Sequence, residues 1–461
     1  MESRSENMGK NNNLLITEKK NVYLRLFFLN IANFIAGFYI LAMYDFKPTI
    51  VSLMFTILIP FLIFSFFYYK DIFHPFNIFF MTTQFVFVYN MIDVNANKDG
   101  FRYGSLSVDY REESFVLAII VIMLWYIMMY IGYNFSKRIK NFKVLNKFNY
   151  TLKKPKKIAY LLISLAFISF FGVILIQDGI DGMILALSNR TDAYEGMAYL
   201  IELVSLGSIG ALVLLYNGNI KSSMFFIVLS FIMMSAFGGR GAAFFGSIFP
   251  YLICYHHKVN KVKISQLLIV GFITVIFAIA LGNYRLYQES RLSFDGMSDI
   301  LSTIAHSSQG GEILPSLVGT LMYSDVDYGW GKTLINIIFA PIPRGIWSNK
   351  PQIDDSGIIS KVLMGNEGWG LPPGPYGISF YNFGFIGVIV VGFVTGLIVY
   401  KFYKQLVVSQ KDKTDNNIGL IFFSIIIPSV FNLISTSYQI NIIWYSIIFL
   451  LIKRIDNLIA N

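Results

Sequence analysis

The sequence predicts an all-α polytopic membrane helical bundle of about 12 transmembrane helices, with a large extracytoplasmic loop containing short helices. Three observations carry that prediction. The chain is 55% hydrophobic and only 14% charged, with a mean hydropathy of +0.59, whereas soluble chains carry about a quarter charged residues. Apolar runs of bilayer-crossing length recur through all 461 residues, since a helix rising 1.5 Å per residue needs about 20 residues to cross about 30 Å of hydrocarbon. Basic residues gather in alternate short loops, the pattern that orients a membrane protein.

Taken in order, the runs cover about 24–43, 49–69, 75–93, 115–135, 158–177, 197–216, 222–237, 241–256, 264–283, 378–400, 417–433 and 441–453. A polar stretch of about 23 residues precedes the first, which continues into further spans, so no cleavable signal is expected. With a cytoplasmic N-terminus, 24 of the 37 Lys and Arg fall in cytoplasmic segments, twelve fall in the opposite ones, and Arg25 sits at the first span's edge. The segment 137–157 holds nine basic residues and no acid. It orients the chain almost alone and puts both termini inside. Its basicity reads as a topology signal touching anionic headgroups, not as a nucleic-acid surface. The single Cys254 excludes a disulfide framework, a cysteine zinc site and an iron–sulfur cluster. Four histidines, with His74, His256 and His257 beside basic segments, leave little for a histidine metal site, so neither metal nor cofactor is expected.

One interval breaks the rhythm of short loops. The 94 residues 284–377 separate an N-terminal membrane bundle (1–283, nine spans) from a C-terminal one (378–461, three spans), and both neighbours put them outside. A loop of that size should contain helices of its own and carry function. The stretch 299–323 is amphipathic enough for a helix at the interface or folded back over the bundle. The apolar stretch 333–340 is too short to cross and is ended by Pro341 and Pro343.

The candidate chemistry lies in outer arginines. Arg190 follows the fifth span, Arg240 occupies the turn Gly238-Gly-Arg-Gly241, Arg285 and Arg291 follow the ninth span, and Arg344 lies within 341–351 beside Trp347 and Lys350. The large loop has six Lys/Arg against nine acids, so general basicity does not explain them. Guanidinium groups suit multidentate capture of phosphate. At Arg240 the free N–H groups of an opening helix point the same way. As acid or base, Glu202 sits about five residues inside the sixth span, where a carboxylate is costly and usually functional. Glu195 lies on the same helical face. Glu312 and His306 lie in the loop's amphipathic part, and His306 is the one histidine expected outside. Asp325-Val-Asp327, a two-acid metal spacing, and Asn189-Arg-Thr191, a glycosylation pattern, are matches too short to carry weight.

Several of these elements together resemble the Wzy-type O-antigen and capsule repeat-unit polymerases of bacteria. They are the Gly-Gly-Arg-Gly turn, Asp327-Tyr-Gly-Trp-Gly-Lys-Thr333, Pro341-Ile-Pro-Arg-Gly-Ile-Trp-Ser-Asn-Lys-Pro351, Tyr381-Asn-Phe-Gly-Phe-Ile-Gly387, and more weakly Arg190-Thr-Asp-Ala-Tyr-Glu-Gly196. The likeness covers about residues 185–395. Members often carry an acid just before the Tyr-Asn-Phe-Gly element, where this chain has Ser379, so no catalytic acid is assigned there. The resemblance implies a metal-independent glycosyltransferase of the GT-C type in a bacterial cytoplasmic membrane. Its donor and acceptor are undecaprenyl-diphosphate-linked oligosaccharides, and a chain-length regulator (polysaccharide co-polymerase) and a flippase are its expected partners. On that reading Arg190, Arg240, Arg285, Arg291, Arg344 and Lys350 hold diphosphates, and Arg240 and Arg344 also stabilise charge developing on the leaving group. Trp347 and Tyr381 contact substrate, Trp330, Trp347 and Tyr376 offer faces on which a sugar can stack, and Glu202, Glu312 or His306 takes the acceptor's proton. Two alternatives are an O-antigen ligase-like transferase, which differs in its acceptor, and a lipid-linked oligosaccharide flippase, which needs charges inside a central cavity and no large outer loop.

Overall fold

The computed structural model describes residues 71–79, 112–140, 142–179, 181–182, 197–237, 240–287, 310–340, 342, 346–347, 349–351, 353–365, 370–408 and 418–460. Every regular element among them is helical. Four stretches are long and apolar enough to cross a bilayer: Glu113–Arg138, Pro155–Ile176, Tyr199–Tyr216 and Gly374–Leu406. Their outward faces carry large apolar side chains such as Ile168, Phe171, Leu175 and Ile386, all more than half exposed. A surface of that kind needs lipid against it, and the protein is membrane-embedded. The spans expected at 24–43 and 49–69, and most of 75–93, lie outside the described residues.

The remaining expected spans meet helices. They are α1 (Pro75–Phe79), α2 (Glu112–Phe135), α3 (Pro155–Ile176), α4 (Ala198–Val204), α5 (Leu206–Tyr216), α6 (Ile220–Ser235), α7 (Arg240–Ala243), α8 (Phe249–Lys258) and α9 (Ile264–Tyr287). After the loop come α13 (Gly374–Leu406), α14 (Gly419–Phe431) and α15 (Thr436–Ala460). A π-turn, Phe244–Ile248, joins α7 to α8, so 240–258 is one continuous helical run. Helix α9 passes the expected boundary at 283 and α13 begins before 378, because polar residues at a span's end extend the helix beyond its apolar part.

Helices α2 and α13 form the tightest pair. Gly392 and Gly396 stand one turn apart on α13, where added methyl groups would lie 2.7 Å from the Trp125 carbonyl oxygen and 2.0 Å from that of Met129. Two glycines four apart let the backbones touch, which is how helices associate where apolar burial gives no drive. Helix α13 also bends at Phe383 and Gly384; Gly384 has φ +59° and ψ −147°, a region open to glycine. The bend frees the carbonyls of Tyr381 and Asn382, which accept from Gly329 N (2.8 Å) and Trp330 N (3.0 Å). Asn382, fully buried, completes the joint: its Oδ1 accepts from Gly331 N (3.1 Å), and its Nδ2 donates to Thr333 Oγ1 (2.8 Å). The Asp-Tyr-Gly-Trp-Gly-Lys-Thr and Tyr-Asn-Phe-Gly segments are thus one structural unit.

The described part of the large loop folds onto the bundle. Helix α10 (Gly310–Tyr323) buries Ile313, Leu314, Leu317 and Val318 and packs on α2 and α13; it covers the described part of the helix expected over 299–323, and 299–309 lie outside the described residues. The short apolar stretch forms α11 (Lys332–Ile335) and a 3₁₀ turn, Asn336–Phe339. Helix α12 (Asp355–Met364) starts at the Asp354 cap and ends at Gly365, in the left-handed region with φ +69°.

Helices α13 and α15 each run from this loop to the basic segment. There Asp456 of α15 accepts from Lys153 N (2.8 Å) and Lys154 N (2.9 Å), which cap the start of α3. Gln405 of α13 exchanges hydrogen bonds with the Phe142 backbone at 3.2 Å each. The bundle therefore has a basic end, carrying 137–157, and an opposite end, carrying the loop.

Candidate functional site

A cavity of about 510 Å3 opens at the loop end. Glu202 of α4 and Met234 of α6 form one side, and Gly241, Ala242, Phe245 and Gly246 follow along the 240–258 run. The loop contributes Asp354, Asp355 and Ser356, and the α14–α15 corner contributes Asn432, Ser435, Tyr438, Asn441 and Tyr445. The π-turn supplies Phe245 and Gly246, a local widening often found at functional sites.

Three carboxylates face this space, and two of them are committed to the fold. Asp354 caps α12, its Oδ2 accepting from Gly357 N (3.1 Å) and from the Ser356 hydroxyl. Asp355 is 3% exposed and accepts from Thr436 N at 2.8 Å, so it caps the first turn of α15 across the loop. Burial pushes its carboxyl up to about 6, against the opposing pull of the Ser435 hydroxyl and the Thr436 amide, with the Asp354 charge adding to the rise. Glu202 is left: it makes no hydrogen bond or ion pair with another side chain among the described residues, and it is exposed to the cavity. No lysine or arginine occurs among the described residues lining the space. A second negative charge brought to 4 Å from such a carboxylate costs about 4 kcal/mol near a protein surface.

The other expected site residues divide into three groups. Arg190, Arg291, His306 and Arg344 lie outside the described residues. Arg240, Arg285 and Glu312 have described backbones only: Arg240 opens α7 immediately before Gly241 of the cavity wall, Arg285 lies in the last turn of α9, and Glu312 lies in the first turn of α10. Lys350, Trp347 and Tyr381 do not line the cavity. The Lys350 ammonium donates to the carbonyl oxygens of Ala340 (3.0 Å) and Ile342 (2.6 Å). Trp347 meets Phe339 edge to face at 5.4 Å. The Tyr381 ring lies where any side chain at Gly329 would stand, 2.4 Å from a Cβ there. Of the aromatics expected to stack on sugars, Tyr376 is buried against Trp125, whereas Trp330 is 67% exposed.

Sequence reasoning missed Asp355, Tyr438 and Asn441. Asp354-Asp-Ser-Gly357 before an apolar run is a helix-start signal, which could have placed α12. Nothing local could have brought Asp355 to Thr436.

A second cluster stands at the basic end. Asp71, His256 and His257 place one ligand atom each within 4.8 Å of one another, against the expectation that the histidines offer little of the kind. His256 Nδ1 accepts from Val262 N (3.0 Å), so the neutral ring carries its proton on Nε2, 3.4 Å from Asp71 Oδ1. A metal-bound histidine instead donates from its far nitrogen; the residues therefore fit a hydrogen-bonded clasp better than a metal. Tyr403 donates to Asp71 Oδ2 at 2.7 Å and Phe73 N to Oδ1 at 3.1 Å. Burial raises the Asp71 carboxyl, but these donors together with His256 and His257 hold it well below the usual range. Burial also pushes His74 down to about 3, despite the nearby Asp71 charge.

No protein family, curated protein or solved structure matches this chain.

Proposed function

We propose that this chain is a repeat-unit polymerase. It transfers a growing glycan from undecaprenyl diphosphate to a sugar hydroxyl of a new lipid-linked unit, on the extracytoplasmic face of a bacterial cytoplasmic membrane. The observation that carries the reading is the loop-end cavity, which is lined both by Glu202, a carboxylate with no side-chain hydrogen bond or ion pair among the described residues, and by the helical run that Arg240 opens. The basic end, with 137–157, is the cytoplasmic one by the positive-inside rule, which leaves the cavity on the side where lipid-linked sugars are joined. About twelve spans, both termini inside, and a chain-length regulator and a flippase as partners complete the reading.

In the reaction, the acceptor oxygen forms the new bond to the donor's anomeric carbon as the bond to the diphosphate oxygen breaks. The electron pair leaves with undecaprenyl diphosphate, and the acceptor's proton passes to Glu202, giving inversion. Arg240, Arg285, Arg291 and Arg344 hold the two diphosphates and stabilise charge developing on the leaving group, while Arg190 and Lys350 add to that field. Glu312 and His306 are the other proton acceptors on this reading. Binding of both polyprenyl tails falls to the apolar grooves between spans.

Arg240→Ala and Arg344→Ala should each abolish long polysaccharide in cells while the protein remains at its normal level in the membrane. A full-length glycan ladder in both variants overturns the proposal. Long polymer retained on the lipid carrier in those variants points to the ligase-like reaction instead.

A further inference from the structure

The chemistry of the cavity wall discriminates between the two halves of such a substrate. A diphosphate presents only acceptors and negative charge, so it needs cations or free donors. The described lining offers three carboxylates, Glu202, Asp354 and Asp355, and no lysine or arginine. A sugar hydroxyl both donates and accepts, and a carboxylate beside an amide satisfies it in both directions. Asn441 and Tyr438 of α15 line the space with Glu202, and neither has a side-chain hydrogen bond to another described residue. Met234 and Phe245 add apolar surface to the lining, suited to the C–H face of a pyranose ring. At about 510 Å3 the space lies within the range of pockets that enclose a small organic ligand.

We infer that this cavity is the acceptor-sugar subsite: it takes an uncharged, polyhydroxylated ring, read by Glu202, Tyr438 and Asn441, and excludes the diphosphates. The inference rests on the polymerase reading, and it adds that the ring entering the cavity bears no carboxylate, which the acidic wall would repel.

The test places a reporter thiol in the cavity of the full chain, purified in detergent, by Ser437→Cys, with Ser356→Cys as a second reporter in case the first fails to fold. The native Cys254 is fully buried, and the parent chain gives the background. Maleimide labelling is timed with and without two probes. One is the lipid-free oligosaccharide released by mild acid from lipid-linked units of cells lacking this protein; the other is inorganic pyrophosphate. The oligosaccharide should slow labelling at least about threefold, pyrophosphate should not, and Asn441→Ala should remove the protection. Protection by pyrophosphate, or by neither probe, overturns the subsite. The parent reading is judged separately by the glycan ladder: if host cells lacking the protein still make long polymer, the polymerase reading itself fails.

Discussion

Glu202 and Asp355 show how one cavity sorts chemically similar residues into different duties. Asp355 is held by Thr436 and capped into the fold, whereas Glu202 lines the cavity with no side-chain hydrogen bond or ion pair among the described residues. Glu202→Gln keeps the shape and removes the base, so polymer formation by membranes carrying it should fall by about 10²- to 10⁴-fold, the usual contribution of a general base. Wild-type polymer output would sink its role. Asp355 answers to pH instead. Its folded-state pKa of about 6 lies above the ordinary 3.8, so as pH rises through that window the unfolded chain gives up its proton first. Stability is therefore greatest below about pH 4, and up to about 3 kcal/mol is lost by pH 6 and above. In Asp355→Asn that slope should flatten, read as a smaller difference in thermal midpoint between pH 4 and pH 7 in detergent. An unchanged slope contradicts the assignment.

At the scale of elements, the glycines of α13 do two jobs that no other residue can do there. Gly384 permits the bend whose freed carbonyls take up Gly329 and Trp330, and Gly392 and Gly396 admit α2. Gly396→Leu would drive a side chain into the Met129 carbonyl, and overpacking of that kind costs at least ~1–3 kcal/mol. The variant should lose its monodisperse peak in size-exclusion chromatography, or lower its thermal midpoint; an unaltered profile would show that α2 and α13 do not pack as described. Most helix positions were legible in the sequence because a span is defined by a local property, its apolar length. Helix α12 was not foreseen, as its start is marked only by the Asp354 cap, whereas the described part of the 299–323 expectation, from Gly310 on, is helical. The bend at Gly384 was invisible because its cause is the partner loop at 329–333, distant in sequence.

For the whole molecule, two ends of different chemistry follow from helices that alternate in direction. The basic end is knitted by Asp456, Gln405 and the Asp71–His256–His257 clasp, and the loop end carries the cavity. Single-cysteine chains test the orientation in intact cells: an impermeant maleimide should label Asp325→Cys, exposed in the loop, and spare Lys143→Cys, exposed in the basic segment. The reverse pattern would invert the topology and move the cavity to the cytoplasm. Glu202 was legible as a functional candidate because a carboxylate within an apolar run is costly wherever it packs. Its neighbours Asp355, Tyr438 and Asn441 were not, since loop and corner meet only in the folded chain.

Composition and the spacing of apolar runs determined by themselves that this chain lies in lipid as helices, and the basic loops pointed to an orientation, because transfer from water to hydrocarbon acts on each segment separately. Only the tertiary structure decided which polar residues meet. The packing of α10 on α2 and α13, the capping of α15 by Asp355 and the cavity left beside Glu202 depend on contacts between segments far apart in the chain, and no local property of any one segment encodes its partner.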